Sequence, residues 1–312
     1  MLPLDIADRL ETMLQQERDP TYHCTDYLNS CRSQGDDVPS PSFSGGKKPV
    51  DEVCRAKMIQ WMYQLVDFFS ISRESVWIAV SYLDRFVSSS NSRSRQALND
   101  RNEYQLAAMT ALYIAIKLHE PVVISTSLLS KTSREKYRKE EFEQMEVEML
   151  VTLKWRMSAP TCLEYAQMFL SLLPPMQRGK SVAAILGFVR YRIEQSVKCY
   201  DLTRSMPSVV AIACILNALE SMNVMDKTSL TAFLRSVLNI SRVDPLSTDV
   251  QNAMSHLRNE VHNITLENVI TLSKVQSKLE EEKSMSLLNV SPVSVVQGRM
   301  KFQRRNSFAA GA

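Results

Sequence analysis

The sequence predicts an all-α fold, and three observations carry that prediction. Apolar residues recur at three- and four-residue spacing, without the strict alternation of half-buried strands. Glycine is scarce, 7 in 312 residues, and Gly35, Gly45 and Gly46 fall in one short stretch, so helix interiors are largely spared it. Methionine, at 16, stands beside abundant Leu and Ala. An apolar content of 45% is enough to fill real cores. A chain of this length suits two domains of ordinary size.

Residues 1–50 read as an amphipathic helix and a linker. Leu4, Ala7, Leu10 and Leu14 share one face, with Asp8, Arg9, Glu11 and Gln15 between them. From Arg32 to Pro49 the composition turns to Ser, Pro, Gly and Asp, which predicts a flexible connection. Residues 51–157 read as a first helical set. Its first helix runs through Arg55–Met62 to about Phe69. The second follows Ser72, read as its N-cap, and buries Val76, Val80, Leu83 and Val87. A Ser/Arg/Asn-rich loop is expected from Ser88 to about Asp100. A third helix then runs from Tyr104 to Leu118 and is closed by Pro121. A short turn near Leu128–Leu129 precedes a last helix, about Lys139–Lys154, with Phe142, Met145, Met149 and Leu153 on one stripe.

Ser158–Thr161 breaks the pattern, and residues 158–267 read as a second set: Cys162–Leu173, Gly179–Leu202, Pro207–Met222, Thr228–Leu238 and Val250–Ile264. Pro207 suits a first helical turn. Each set has about five helices, a faint internal duplication. It is clearest in the third helix of each, where Ala107, Ala108, Ala111 and Ala115 answer Ala211, Ala213 and Ala218. Small side chains let neighbouring helices approach a central one closely. Residues 268–312 lack a core pattern and read as a flexible tail.

Composition excludes several functions. A net charge of +3 with no basic stripe argues against nucleic-acid binding. Cys24, Cys31, Cys54, Cys162, Cys199 and Cys214 form no C-x-x-C pair, against both a zinc ribbon and a disulfide framework. His23 with Cys24 and Cys31 fits no common metal spacing, so no metal or other cofactor is expected. No apolar run reaches the roughly 20 residues of a membrane helix. A soluble protein of the reducing nucleus and cytoplasm is expected. No phosphate loop and no nucleophile–base constellation appears, so no enzyme is predicted.

The order of motifs in the first set resembles a known family. Cys54-Arg55-Ala56-Lys57-Met58-Ile59-Gln60-Trp61 is similar to the opening of the cyclin box. Tyr82-Leu83-Asp84-Arg85-Phe86 resembles its second-helix motif, and Ala115-Ile116-Lys117-Leu118 the end of its third helix. Met145-Glu146 and Met157-Ser158-Ala159-Pro160-Thr161 resemble its fifth helix and the exit into a second fold. The resemblance is best over residues 50–165. The opening helix and Leu153–Trp155 lean toward the D-type, G1 branch. The retinoblastoma-binding Leu-x-Cys-x-Glu sequence of that branch is not supplied by His23–Asp26.

The resemblance implies two tandem five-helix cyclin folds and a regulatory subunit that binds and activates a cyclin-dependent Ser/Thr kinase, controlling the cell cycle in G1 or at G1/S. Such a kinase needs its glutamate-bearing helix pushed inward by a rigid partner face. The implied face holds Lys117 and Glu146, with Leu118, Phe142 and Met149 as apolar neighbours. Spacing alone reads Lys117 as a helix-dipole partner and Glu146 as one solvated charge among many. Removing one member of a pair that a partner buries costs about 2–5 kcal/mol. Arg55 and Asp84 match positions that form a buried structural pair. A substrate-docking groove for Arg-x-Leu ligands is implied at Cys54, Lys57, Met58, Trp61, Gln64 and Gln105. Lys57, Cys54 and Gln64 depart from the family pattern, and a lysine there repels the ligand's arginine. Met58 and Trp61 read equally well as core.

Proline-directed phosphorylation suits Ser40 and Ser291, and a basophilic kinase suits Ser307. Arg95–Leu98 has the minimal destruction-box form in the expected loop. Two rivals share the duplicated fold: a transcription-associated cyclin, and a DNA-contacting factor of the IIB type. The latter expects a zinc ribbon and a basic second repeat, and neither is present.

Overall fold

The computed structural model describes residues 3–33, 48–173 and 180–259. Within them are thirteen α-helices and no strand. They are α1 (Pro3–Glu17), α2 (Tyr27–Ser33), α3 (Glu52–Phe68), α4 (Glu74–Val87), α5 (Ser92–Asn99), α6 (Arg101–His119) and α7 (Thr126–Thr132). There follow α8 (Lys139–Thr152), α9 (Cys162–Leu170), α10 (Lys180–Lys198), α11 (Pro207–Met222), α12 (Lys227–Ser241) and α13 (Thr248–Asn259). Single 3-10 turns lie at Pro20–Tyr22 and Tyr200–Arg204.

Two helices serve as hubs. α6 is packed by α3, α4, α5 and α8, and α11 by α9, α10 and α13. The alanines permit this. Ala107, Ala108, Ala111 and Ala115, like Ala211, Ala213 and Ala218, have no exposed surface. A hub helix surrounded on all sides must trade side-chain size for close approach.

Local chemistry sets the helix ends. Asp51 caps α3 by accepting from Cys54 N at 2.7 Å, and Asp100 caps α6 by accepting from Asn102 N at 2.9 Å. Thr161 and Glu164 form a reciprocal capping box that starts α9. Asn223, at φ 47°, ends α11 in the left-handed region that asparagine tolerates. Ser72 does not cap α4: the cap residue is Arg73, and Ser72 Oγ accepts from Glu74 N at 3.3 Å.

The predicted loop at 88–100 is instead the helix α5. Asn91 caps it by accepting from Arg93 N and Ser94 N at 2.6 and 3.1 Å. Ser94, Ala97 and Leu98 are buried against α6. Polar composition concealed a short helix held by tertiary contact. Arg95–Leu98, which have only the minimal form of a destruction box, therefore lie on a packed helix, with Ala97 and Leu98 inside.

The Tyr82–Phe86 motif ties the chain together. Asp84 accepts from Arg55 Nε at 3.1 Å, Arg55 Nη2 at 2.6 Å and Tyr27 Oη at 2.7 Å. Arg55 Nη1 donates to the carbonyl of Val197 at 2.9 Å, so a buried cation closes the C-terminal end of α10. Burial pulls against the charge of Arg55, but Asp84 beside it prevails and raises its pKa. Tyr82 Oη donates to the Met157 carbonyl at 2.6 Å, and Arg85 donates to the carbonyls of Thr21 and Arg156. Leu83 and Phe86 fill the core between them.

α1 docks on α9 and α12 of the second set. Ile6, Leu10, Met13 and Leu14 are buried there. Glu17 accepts from Ser208 N at 3.1 Å and Ser208 Oγ at 2.5 Å, at the N-terminal end of α11. Burial raises the pKa of its carboxyl, and the bonds from Ser208 oppose the rise. Arg73 links the sets again, paired with Asp67 at 2.8 Å and with Glu194 of α10 at 2.6 Å. A cavity of about 700 Å³ lies along this seam, lined by Glu17, Tyr82, His119, Thr161 and Glu164 among others. No helix among the described residues is long and apolar enough to cross a membrane. Ser40, Ser291 and Ser307, with the tail from 268 onward, lie outside the described residues.

Candidate functional site

Lys117 sits in the last turn of α6 and Glu146 midway along α8. Lys117 Nζ donates to Glu146 Oε1 at 2.9 Å. The same ammonium lies 5.4 Å from the centre of the Tyr113 ring. The hydrogen bond to Glu146 is the main cause that raises the pKa of Lys117. Its side chain is 51% exposed and that of Glu146 14%. An ion pair so open contributes at most about 1 kcal/mol to folding. The pair is thus largely dispensable for stability. The Lys117 side chain is half open to solvent while Glu146 is mostly covered, and the hydrogen bond holds the two at a fixed spacing.

The apolar surroundings differ from those the sequence suggested. Leu118 is exposed, but Phe142 and Met149 have no exposed surface. The continuous apolar stripe of α8, Phe142–Met145–Met149, turns inward, because a helix of mixed composition buries its most apolar face. The outward face carries Val147 and Val151, both about 60% exposed. Val122 and Val123, just past α6, and Trp155, just past α8, are exposed as well. Sequence reasoning missed these residues. The available signal was a pair of valines spaced i, i+4 on an otherwise charged helix face.

The implied groove is closed. Cys54, Met58, Trp61 and Gln105 are buried, whereas Lys57 is partly exposed and Gln64 exposed. Gln105 Oε1 accepts from Lys136 Nζ and Tyr137 Oη, both at 2.8 Å. The loop between α7 and α8 thus folds over the site, and the chain's own ammonium occupies the acceptor. Met58 and Trp61 are core residues. Trp61→Ala is expected to cost about 3–5 kcal/mol of stability, read by urea unfolding. An unchanged midpoint with a selective loss of Arg-x-Leu phosphorylation would restore the groove.

Residues 26–158 match the cyclin N-terminal domain, so the match begins before residue 51 and takes in α2. Residues 26–158 thus carry a cyclin N-terminal domain. A G2/mitotic-specific cyclin-2 of Medicago sativa is 27% identical over 179 residues, 57% of this chain and 51% of that relative. Cyclin-B2-2 of Arabidopsis thaliana is 29% identical over 169 residues, 54% of this chain and 36% of the relative. The G1/S-specific cyclin-D1 of Homo sapiens is 24% identical over 217 residues, 69% of this chain and 70% of that one. The chain therefore spans about half the length, or less, of the plant relatives named. Among solved structures, a viral cyclin from Herpesvirus saimiri superposes with a TM-score of 0.54 at 16% identity. It covers 75% of this chain and 96% of the viral one, a likeness of fold. Sequence and fold agree on the cyclin architecture, with α5 added to the first set.

Proposed function

We propose that this chain is a non-catalytic regulatory subunit that binds and activates a cyclin-dependent Ser/Thr kinase through the face around Lys117 and Glu146. One observation carries this reading. A polar pair at fixed register bridges α6 and α8, where Leu118, Val147 and Val151 leave apolar surface open. Apolar area supplies affinity and the charges supply register, the division of labour expected of a docking face. Two packed helices also make a stiff support, which pushing a kinase helix inward requires. We place its action in the cell cycle, in G1 or at G1/S, in the nucleus and cytoplasm.

The test is affinity recovery from nuclear and cytoplasmic fractions of synchronised cells, followed by a kinase assay on the captured partner. An active Ser/Thr kinase is expected to be recovered with the wild-type chain, most strongly from G1 cells. The Lys117→Ala/Glu146→Ala variant should lose at least about tenfold in both capture and activity, because a partner would bury these groups. Full retention in the double variant would remove the face from the proposal.

A further inference from the structure

Cys199, Asp201 and His256 converge on the second helical set, outside the face described above. One ligand atom from each, a thiol sulfur, a carboxylate oxygen and an imidazole nitrogen, lies within 4.8 Å of the other two. Cys199 precedes the 3-10 turn Tyr200–Arg204, Asp201 lies within it, and His256 comes from α13. His256 Nδ1 is already 3.4 Å from an Asp201 carboxylate oxygen.

We propose that these three side chains form a binding site for a zinc-type divalent cation, with its fourth position open to water. The donor set supports that choice. Thiolate and imidazole suit a borderline-soft ion, while a magnesium or calcium ion seeks oxygen alone. Three protein ligands with one open position is a familiar zinc arrangement. Closing the ligand atoms onto a tetrahedral ion requires side-chain shifts of about 1 Å, since zinc–ligand distances are about 2.0–2.3 Å.

Both supports are rigid before a metal arrives. The turn is held by Ser205 N donating to the Leu202 carbonyl at 3.1 Å and Thr203 Oγ1 to the Tyr200 carbonyl at 2.7 Å. Between the two ligands, Tyr200 is anchored inward: its Oη accepts from Leu28 N at 2.9 Å and donates to Asp26 at 3.0 Å. α13 is seated by buried Val250, Ala253, Met254 and Leu257, and Asn217 Nδ2 donates to the Met254 carbonyl. Cys199 is buried at the floor while Asp201 and His256 stand at the solvent edge, which gives an ion its way in. Binding would pin α13 to the turn that seats α2, and the thiol proton would leave to solvent as the thiolate takes the metal. The sequence could not show this, because His256 lies far along the chain from the other two ligands.

Cobalt(II) titration of the reduced full chain tests the site. One equivalent should bind, with a thiolate-to-cobalt charge-transfer band and the visible bands of four-coordinate cobalt, and zinc should displace it. Cys199→Ser should abolish the charge-transfer band. His256→Gln, at a half-exposed position that the fold does not require, should weaken binding by about tenfold or more. His119→Gln should change neither. Zinc should raise the unfolding midpoint of the wild type and not of His256→Gln. Absence of the charge-transfer band, its survival in Cys199→Ser, or undiminished binding in His256→Gln would overturn the proposal.

Discussion

Asp84→Ala is expected to lower the unfolding free energy by about 3–5 kcal/mol, the cost of stranding a buried charge. The arginine left behind is 2% exposed and would keep only the Val197 and Lys198 carbonyls as acceptors. Tyr27 would lose the acceptor for its hydroxyl too. The effect should reach beyond α3 and α4, because Arg55 also closes the end of α10 and Tyr27 secures α2. Urea unfolding at neutral pH measures it. The double variant Arg55→Met/Asp84→Leu should recover much of the loss, since an apolar pair of similar volume removes the stranded charge. A loss below about 1 kcal/mol for Asp84→Ala would mean that the pair behaves like an exposed one.

Val147→Glu should do the opposite: abolish kinase capture and leave the fold alone. Val147 is 61% exposed, so its replacement should change stability by no more than about 0.5 kcal/mol. The new carboxylate would stand beside Glu146 and would have to be desolvated, without a partner, when a kinase docks. A loss of about a hundredfold in affinity, near 2.7 kcal/mol, is expected. Measured with wild-type chain in parallel, undiminished capture by a folded Val147→Glu protein would exclude the outward face of α8 from the interface. The two variants separate the chemistry of the buried pair from that of the open one. Arg55–Asp84 is closed to water and stabilises the fold. Lys117–Glu146 is half open and contributes little to it.

Much of the fold was legible in the chain. Helical spacing located the elements of both sets, and runs of alanine marked the hubs α6 and α11, because a crowded helix must use small residues. The ends of α4 and α10 were shifted by a few residues, as caps and 3-10 turns depend on local hydrogen bonds. α5 was hidden because eight mostly polar residues form a stable helix only where Ala97 and Leu98 find a core.

The candidate site was half legible. Motif order singled out Lys117, Glu146 and Leu118 at the surface. It also nominated Phe142 and Met149, which the structure buries, and passed over Val147 and Val151, which it exposes. Periodicity reveals an apolar stripe, but whether that stripe meets this chain or another is decided by what packs against it. The same difficulty governs Trp61 and Met58. Their residue types suit a docking groove, yet the α7–α8 loop brings Lys136 and Tyr137 onto Gln105 and closes it.

By itself, then, the sequence determined the helical class, the two hubs and the cyclin-box motifs of the first set, because spacing, composition and motif order are properties of neighbouring residues. Tertiary structure alone decided which side of α8 is open, that the groove is shut, and that Cys199, Asp201 and His256 meet. Each depends on elements distant in the chain, and exposure and juxtaposition are sums over such contacts that no local pattern contains.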